Sequence, residues 1–544
     1  MRIVLAQGNF LVGDIEANTA KIITFCREAV ARLDATLVVF PELALTGYPP
    51  EDLLLRPSLN SRIQDALTAL AVDVTVPVVL GYPAIRNGRR VNVAGYLRPG
   101  CSPQEYFKQC LPNYRVFDEV RYFHAGDSAC VIECDGIKLG LTICEDIWHA
   151  EPARMAAQAG AQLLVNLNAS PYRRDKHAER IEQLATRAAD TGLPILYCNM
   201  VGGQDELVFD GASMAVNAQG EVVVQGCSFN EALVPVDVAL TPNGAGEQVV
   251  QLRGERLPVP ENEEAVYQAL VLAVRDYVSK NGFSGALLGL SGGIDSALTL
   301  AIAVDALGAE KVEAVMMPYR YTAAMSLEDA EAEARNLNVA YRVLPIAPAF
   351  EGFMETLTDA FAGTETGVTE QNLQARCRGT LLMALSNKMG SLVLTTGNKS
   401  EVAVGYSTLY GDMAGGFDVL KDVPKTWVYR LCVYRNQAAG YALIPQRVID
   451  RPPSAELAPD QVDQDSLPDY DELDAILELY VEQDYSAEAV IRAGFNRETV
   501  YRIVRLVDRN EYKRRQAAVG PRVSRRAFGK DRRYPITNGW RPGD

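Results

Sequence analysis

The chain has 544 residues, more than one ordinary hydrophobic core accommodates, so we expect at least two domains. Its composition, 48% hydrophobic and 22% charged, is that of a globular protein, and no apolar run approaches the length of a membrane span. A net charge of −16 argues against a nucleic-acid or anionic-membrane partner. The ten cysteines include no Cys-x-x-Cys pair and there are only three histidines, which excludes a zinc-finger framework. With no cleavage site after residues 1–6, we expect reduced thiols and a cytoplasmic location.

Over residues 3–238, short apolar segments alternate with helical ones, a pattern that predicts a layered α/β domain. Three residues suited to chemistry each follow a separate predicted strand. The residues are Glu42 after 37–40, Lys108 after Tyr106 and Phe107, and Cys144 after 136–143. Strand ends can bring such side chains into one cleft, although each signal is weak alone because most buried cysteines are small hydrophobes. The remaining predicted strands are 3–6, 76–80, 91–97, 163–167, 195–199, 222–225 and 232–236.

In this order, and with the segments 117–119, 167–172 and 202–213, these residues resemble the nitrilase superfamily. The resemblance implies an αββα sandwich carrying a Glu-Lys-Cys amidase site. In that site Cys144 is the nucleophile, Glu42 the general base and Lys108 the stabiliser of the oxyanion, while Glu119 orients the lysine and the substrate. By resemblance to glutamine-hydrolysing members, the glutamine-binding residues are Tyr114, Ser170 and Lys176.

Residues 241–264 are rich in Gly, Pro, Asn and Glu and lack a sustained apolar period, which indicates a linker. We therefore predict an amidase domain over 1–245, a linker over 246–264 and a second domain over 265–544. In the second domain an apolar-faced helix (265–277) precedes strands at 287–290, 312–316, 343–346 and 391–395, with helices between them. This alternation predicts a doubly wound parallel sheet whose ligands bind at the carboxyl ends of the strands.

The first of these strands runs into Ser291-Gly292-Gly293-Ile294-Asp295-Ser296 and then into a helix ending at Leu307. Two glycines let backbone N–H groups approach an anion, and the helix start adds unpaired amides, so we predict a phosphate site. The alternative is a purely structural tight turn between strand and helix. The pattern resembles the SGGxDS loop of the N-type ATP pyrophosphatases, which implies that Asp295 is a magnesium ligand. The ATP contacts so implied are Gly289, Leu290, Ser291, Gly292, Gly293, Ile294, Asp295 and Ser296.

Further segments, 370–376, 395–401, 410–412, 421–426 and 451–457, resemble the glutamine-dependent NAD synthetase family. Each alone could be a turn or a helix cap, and it is their co-occurrence that carries the resemblance. It implies ATP contacts at Thr396, Lys425 and Ser454, and deamido-NAD contacts at Asn372, Glu401 and Lys513, with Glu401 also near magnesium. Leu409 departs from the pattern, because the ammonia-only enzymes tend to carry a lysine there.

The resemblance implies an enzyme that hydrolyses glutamine, adenylates deamido-NAD with ATP and amidates it to NAD, using Mg²⁺ and forming a homo-oligomer. One alternative is another glutamine-fed ATP-pyrophosphatase amidotransferase, although those use amidases with a different cysteine context. A second is a non-catalytic nucleotide-sensing scaffold. The basic segment 502–533 could be a cationic helix end or a nucleic-acid surface, and the acidic segment 460–474 a solvated loop before a helix.

Overall fold

The computed structural model describes residues 1–242, 248–454, 456–458, 463–465 and 467–541, and the chain forms two compact units, residues 1–260 and 261–544. Ala455 of the segment 451–457, residues 246–247 of the predicted linker, and residues 460–462 and 466 of the acidic segment lie outside the described residues. In the described ranges no helix is long and apolar enough to cross a membrane.

The first unit is built on two large sheets. Its strands are β1 (Arg2–Gln7), β2 (Leu37–Val39), β3 (Val78–Arg86), β4 (Arg89–Leu97), β5 (Gln104–Phe107), β6 (Val131–Cys134), β7 (Ile137–Ile143), β8 (Leu163–Asn168), β9 (Ile195–Asn199), β10 (Val201–Gln204), β11 (Leu207–Asp210), β12 (Met214–Val216), β13 (Val222–Gln225), β14 (Ala232–Pro242) and β15 (Gln248–Arg253). Its helices are α1 (Ile15–Leu33), α2 (Pro57–Asp73), α3 (Ala150–Gln158) and α4 (Lys176–Thr191). The sheets have the orders β15-β14-β1-β2-β3-β4-β5 and β13-β12-β9-β8-β7-β6, and β10 and β11 form a small hairpin.

Alternation along the strands produces four layers. In β1, Ile3 and Leu5 pack with Leu139 and Leu141 of β7, so the two sheets share one buried core. The other face of the first sheet packs on α1 and α2, and the other face of the second packs on α3 and α4. The predicted αββα sandwich is therefore confirmed.

The second unit is built on one parallel sheet. Its strands are β16 (Ala286–Gly289), β17 (Val312–Met316), β18 (Ala340–Val343), β19 (Leu392–Thr395) and β20 (Phe417–Asp418), in the order β18-β17-β16-β19-β20. Its helices are α5 (Asn262–Lys280), α6 (Ile294–Leu307), α7 (Ala324–Asn336), α8 (Ala347–Thr356), α9 (Val368–Met389), α10 (Lys399–Val404), α11 (Lys425–Ala439), α12 (Gln446–Asp450), α13 (Tyr470–Leu477), α14 (Ala487–Arg492), α15 (Arg497–Arg509) and α16 (Glu511–Arg514). All described strand pairs are parallel, which confirms the doubly wound sheet. The strand order reverses between β16 and β19, and in such sheets ligands bind beyond the strand ends at that point.

Two predicted boundaries differ from the structure. Part of the predicted linker, Gln248–Arg253, is the edge strand β15, because its alternating residues place Leu252 against the core while Gln251 and Arg253 face out. In the sheet of the second unit, the strand predicted at 343–346 is β18, which covers Ala340–Val343. Strand β18 lies at the edge of the sheet and none of its four side chains is buried, whereas Leu344 and Ile346 just beyond it pack in the core, which is why the prediction began three residues too late.

Candidate active sites

The predicted nucleophile, Cys144, follows β7 and opens a short 3-10 helix, Cys144–Trp148. Its φ of 44° lies in the left-handed region that non-glycine residues rarely adopt, a conformation that clusters at functional sites. Burial raises the pKa of the Cys144 thiol well above its usual value, Glu42 adds to this and Lys108 opposes it. The thiol therefore rests protonated and needs a base to become a nucleophile.

The ammonium group of Lys108 lies between two buried carboxylates. Its Nζ is 2.7 Å from Oε1 of Glu42 and 2.9 Å from Oε1 of Glu119. Burial lowers the pKa of Lys108, but Glu119 and Glu42 together outweigh this and raise it well above its usual value. Lys108 therefore remains a cation, as a group that stabilises an oxyanion must.

The two carboxylates differ in their other partners. Glu42 accepts hydrogen bonds from Nδ2 of Asn92 at 2.8 Å and from the backbone N–H of Ala169 at 3.2 Å. Glu119 accepts one from the Tyr48 hydroxyl at 3.0 Å. Burial raises the pKa of Glu119 to about 7, with Lys108 opposing the shift and Glu42 adding to it. Sequence patterns did not single out Asn92 or Tyr48, although a lone asparagine within the apolar strand β4 was a usable signal.

The predicted glutamine-binding residues have protein partners of their own. The Tyr114 hydroxyl lies 3.0 Å from both carboxylate oxygens of Glu145, and Oγ of Ser170 accepts a hydrogen bond from Nε of Arg180 at 3.2 Å. The Lys176 ammonium lies 3.7 Å from the centre of the Trp148 ring, and burial lowers its pKa to about 8, helped by Arg180 and Arg173. Their partners Glu145 and Trp148 belong to the 3-10 helix that Cys144 opens, so both Tyr114 and Lys176 contact the segment that carries the nucleophile.

In the second unit, the loop between β16 and α6 borders a cavity of about 300 Å³. Ser296, in the first turn of α6, donates its hydroxyl to the carbonyl of Gly293 at 2.9 Å and accepts from the N–H of Ser291 at 3.2 Å, so the loop is fastened to the helix start. The lining includes seven of the eight predicted loop residues together with Thr396, Glu401, Lys425 and Ser454. The eighth loop residue, Gly292, is not part of the lining, and its carbonyl accepts a hydrogen bond from Arg451 at 2.5 Å.

Lys425 joins the two predicted metal ligands. Its Nζ lies 2.5 Å from Oδ2 of Asp295 and 3.2 Å from Oε1 of Glu401, while Asn398 donates its amide to Oδ1 of Asp295 at 2.8 Å. Burial lowers the pKa of Lys425, but Asp295 and Glu401 together raise it above its usual value. Burial raises the pKa of Glu401 to about 8, against the effect of Lys425.

The same two carboxylates fit a magnesium ion in donor chemistry, because they converge on one cation and line the cavity that also contains the phosphate loop. The described residues contain no cluster of three or more metal-ligating His, Cys, Asp or Glu side chains. A magnesium ion held here would therefore take its other ligands from phosphate oxygens and water.

Two predicted substrate contacts, Asn372 and Lys513, do not line this cavity among the described residues. Asn372 accepts a hydrogen bond from the Thr408 hydroxyl at 2.9 Å. The Lys513 ammonium donates to the carbonyls of Gly405 at 2.7 Å and Ser407 at 2.8 Å. Both side chains hold the segment 405–408, of which Tyr406 and Ser407 do line the cavity.

Comparison with known proteins agrees with this geometry. Residues 2–242 match the carbon-nitrogen hydrolase family and residues 266–517 match the NAD synthase family. The chain is 50% identical to the glutamine-dependent NAD(+) synthetase of Acinetobacter baylyi, in an alignment covering 100% of this chain and 99% of that protein. It belongs to the glutamine-dependent NAD(+) synthetase family.

Other members of this family match over similar lengths. The glutamine-dependent NAD(+) synthetase of Thermotoga maritima is 46% identical, with 99% of this chain and 98% of that protein covered. The solved structure of the Acinetobacter baumannii glutamine-dependent NAD+ synthetase, in complex with ADP, is 47% identical with a TM-score of 0.79 and covers 100% of this chain and 99% of its own. The family, fold class and enzyme class predicted from the sequence are thereby confirmed.

Membership of the glutamine-dependent NAD(+) synthetase family leaves the roles of single residues as predictions. The structure places two further residues, Arg451 and Asp418, at the cavity, and the sequence patterns assigned neither of them a role. Arg451 bridges the Gly292 carbonyl and the Ser326 hydroxyl, the latter at 2.9 Å. Asp418, at the end of β20, lines the cavity, and burial raises its pKa to about 7. Their positions could have pointed to them, because Arg451 is the first residue of the segment 451–457 and Asp418 is the last residue of a strand of the parallel sheet.

Proposed function

We propose that the chain makes NAD from deamido-NAD, with glutamine as the nitrogen source and ATP as the activating co-substrate. The observation that carries this proposal is that one chain contains both a Cys144-Lys108-Glu42 site and a phosphate loop facing Asp295, Lys425 and Glu401. The first suits hydrolysis of an amide, and the second suits activation of a carboxylate by a nucleotide.

In the first site, Glu42 takes the thiol proton as the sulfur of Cys144 attacks the amide carbon of glutamine. The carbonyl electron pair moves to the oxygen, where the Lys108 ammonium stabilises the negative charge. Collapse of this intermediate expels ammonia, which takes the proton from Glu42 and leaves a thioester. Glu42 then takes a proton from water, the water oxygen attacks the thioester, and glutamate leaves as the thiol is restored.

In the second site, the nicotinate carboxylate of deamido-NAD attacks the α-phosphorus of ATP and pyrophosphate leaves. The loop amides and the first turn of α6 hold the phosphate groups, and the Lys425 ammonium offsets their charge. When bound, magnesium held by Asp295 and Glu401 supplies further positive charge at the phosphates. Ammonia then attacks the acyl carbon, AMP departs and a proton is released, which forms the amide of NAD.

The test is a product analysis with glutamine labelled with ¹⁵N in its amide, ATP, Mg²⁺ and deamido-NAD. We expect ¹⁵N-labelled NAD, with one AMP and one pyrophosphate formed for each NAD. Formation of ADP and phosphate, or unlabelled NAD, would contradict the proposal. Replacing deamido-NAD with xanthosine monophosphate or aspartate tests the alternative amidotransferases, which would amidate these acceptors. A homo-oligomeric assembly and a cytoplasmic location stay predictions.

A further inference from the structure

A buried carboxylate two residues past the nucleophile contacts both catalytic segments of the amidase site. Asp146 has no exposed surface. Its Oδ1 accepts hydrogen bonds from the backbone N–H groups of Gln109 at 3.1 Å and Cys110 at 2.8 Å. Its Oδ2 accepts from the backbone N–H of Ile143 at 2.9 Å and from the Tyr106 hydroxyl at 2.8 Å. All four partners lie close in sequence to Lys108 or to Cys144.

The positions of the donors show what Asp146 joins. Tyr106 lies two residues before Lys108 in β5, while Gln109 and Cys110 directly follow it. Ile143 is the last residue of β7 and the neighbour of Cys144. Strand β5 belongs to the seven-stranded sheet and β7 to the six-stranded sheet. One carboxylate therefore ties the end of a strand in each sheet.

This arrangement exceeds what a helix cap requires. A carboxylate that capped the 3-10 helix at Cys144 would need only the bond from Ile143, since a cap satisfies the unpaired N–H groups of its own helix. The other three bonds go to the segment 106–110, which that helix does not include. Neighbouring Glu145 accepts instead from the Tyr114 hydroxyl, so the two consecutive acids contact different segments.

We infer that Asp146 is a positioning residue that sets the placement of the Lys108 ammonium relative to the sulfur of Cys144. The inference rests on the proposed glutaminase function of this site. Hydrogen bonds to a carboxylate are shorter and stronger than neutral ones, and four of them on one rigid group restrict both strand ends. Cys144 adopts a strained φ of 44°, which persists only where surrounding contacts over-determine it, and the bond from Ile143 N–H is one such contact.

The test compares the full-length protein with Asp146→Asn, which keeps the shape of the side chain but places an NH₂ group against N–H or O–H donors. The concentration of competent sites is first titrated with a glutamine-mimicking diazoketone. We expect kcat for glutamine hydrolysis per titrated site to fall by about a hundredfold, the effect of a misplacement near 1 Å, with KM little changed. The pH profile of Cys144 alkylation by iodoacetamide shifts to higher pH, because the Lys108 cation no longer lies at its fixed position.

Two further variants keep the result decisive. Tyr106→Phe removes one of the four bonds and retains the ring, so we expect a smaller fall in kcat in the same direction, even if Asp146→Asn does not fold. Asp135→Asn, in the exposed turn between β6 and β7, is the matched control and should behave as the unaltered protein. Unchanged kcat per titrated site and an unchanged alkylation profile in Asp146→Asn, or in Tyr106→Phe where the former does not fold, would overturn the inference.

NAD formation from added ammonium separates this inference from the proposed function. It should continue in Asp146→Asn, because the change lies in the amidase unit. If the unaltered protein did not hydrolyse glutamine, the proposed function would fail, whereas the alkylation profile of Cys144 would still report whether Asp146 positions Lys108.

Discussion

Glu119 makes the amidase site sensitive to pH near neutrality. Burial raises its pKa to about 7, so it gains a proton as the pH falls through that value and then binds the Lys108 ammonium less strongly. We expect kcat for glutamine hydrolysis to decrease on the acid side of neutrality. In Glu119→Gln, which stays neutral at every pH, this acid limb should disappear and kcat at high pH should be lower. Glu133→Gln, an exposed change on β6, is the control, and an acid limb that persists in Glu119→Gln would assign it to another group.

Lys513 could either contact deamido-NAD directly or support the segment 405–408 that borders the cavity. Its ammonium is bonded to the carbonyls of Gly405 and Ser407, at the edge of the synthetase cavity. Losing one charged hydrogen bond costs about 1.5–3 kcal/mol, so we expect Lys513→Ala to raise KM for deamido-NAD by roughly tenfold to a hundredfold at saturating ATP. Glutamine hydrolysis should change little. Lys388→Ala, an exposed lysine near the end of α9, controls for charge, and an unchanged KM would remove Lys513 from substrate binding.

The residues predicted to be catalytic were easier to find in the sequence than their hydrogen-bond partners. Cys144, Glu42 and Lys108 each follow a strand and occur in a family pattern, and the structure joins Lys108 to Glu42 as expected. Asn92 lies 50 residues from Glu42, and its role depends on the register of β3 and β4, which no local pattern specifies. Asp146 was equally hard to predict, because its four donors come from β5, from the residues just after β5 and from β7, and these two strands belong to different sheets.

The loop between β16 and α6 depends on backbone conformation more than on side chains. Gly292 has a φ of +77°, and a Cβ there would lie 2.3 Å from the carbonyl oxygen of Ser326. The left-handed conformation costs a non-glycine residue roughly 1–2 kcal/mol, and the contact with a backbone atom forces the loop to move as well. We expect Gly292→Ala to reduce NAD synthesis from either nitrogen source while glutamine hydrolysis persists.

Gly282 supplies a matched control for that prediction. It has a similar φ of +75° in the turn before β16, but a Cβ there would meet no atom within 4 Å. Gly282→Ala therefore carries the conformational strain without the clash and should lower thermal stability while leaving pyrophosphate release per folded molecule unchanged. If the two variants lost pyrophosphate release equally, the clash of the new Cβ with Ser326 would not be the cause of the loss in Gly292→Ala.

Elements with strong periodicity were predicted well, and edge elements were not. The central strands β16, β17 and β19 are mostly apolar and mostly buried, so the sequence identified them and the doubly wound sheet they imply. Strand β15 was assigned to a linker and β18 was placed three residues too late, because edge strands need only one buried face. The boundaries of such strands depend on pairing partners instead of composition.

At the scale of the whole molecule, three buried arginines of the basic segment 502–533 pair with acids of the same chain. Arg514 pairs with Glu511 at 2.9 Å, Arg522 with Asp531 at 2.5 Å and Arg532 with Asp508 at 3.0 Å. These arginines are buried, so their charges are used in folding the C-terminal part of the second unit. The sequence allowed two alternatives for this segment, a nucleic-acid surface or a helix end favoured by its dipole. Neither of them anticipates this internal pairing, which depends on acids up to 24 residues away.

The two sites should be separable by mutation because each lies in its own compact unit. Cys144→Ala removes the nucleophile, so we expect glutamine-driven NAD formation to fall by at least about a thousandfold while ammonium-driven formation persists. Asp295→Asn removes the charge that pairs with Lys425, and we expect pyrophosphate release to fall on the order of a hundredfold with either nitrogen source. Cys144 should still react with a glutamine-mimicking diazoketone in Asp295→Asn, which shows that the amidase unit remains folded. Retained glutamine-driven synthesis in Cys144→Ala would eliminate it as the nucleophile, and normal pyrophosphate release in Asp295→Asn would place the phosphate-binding site elsewhere.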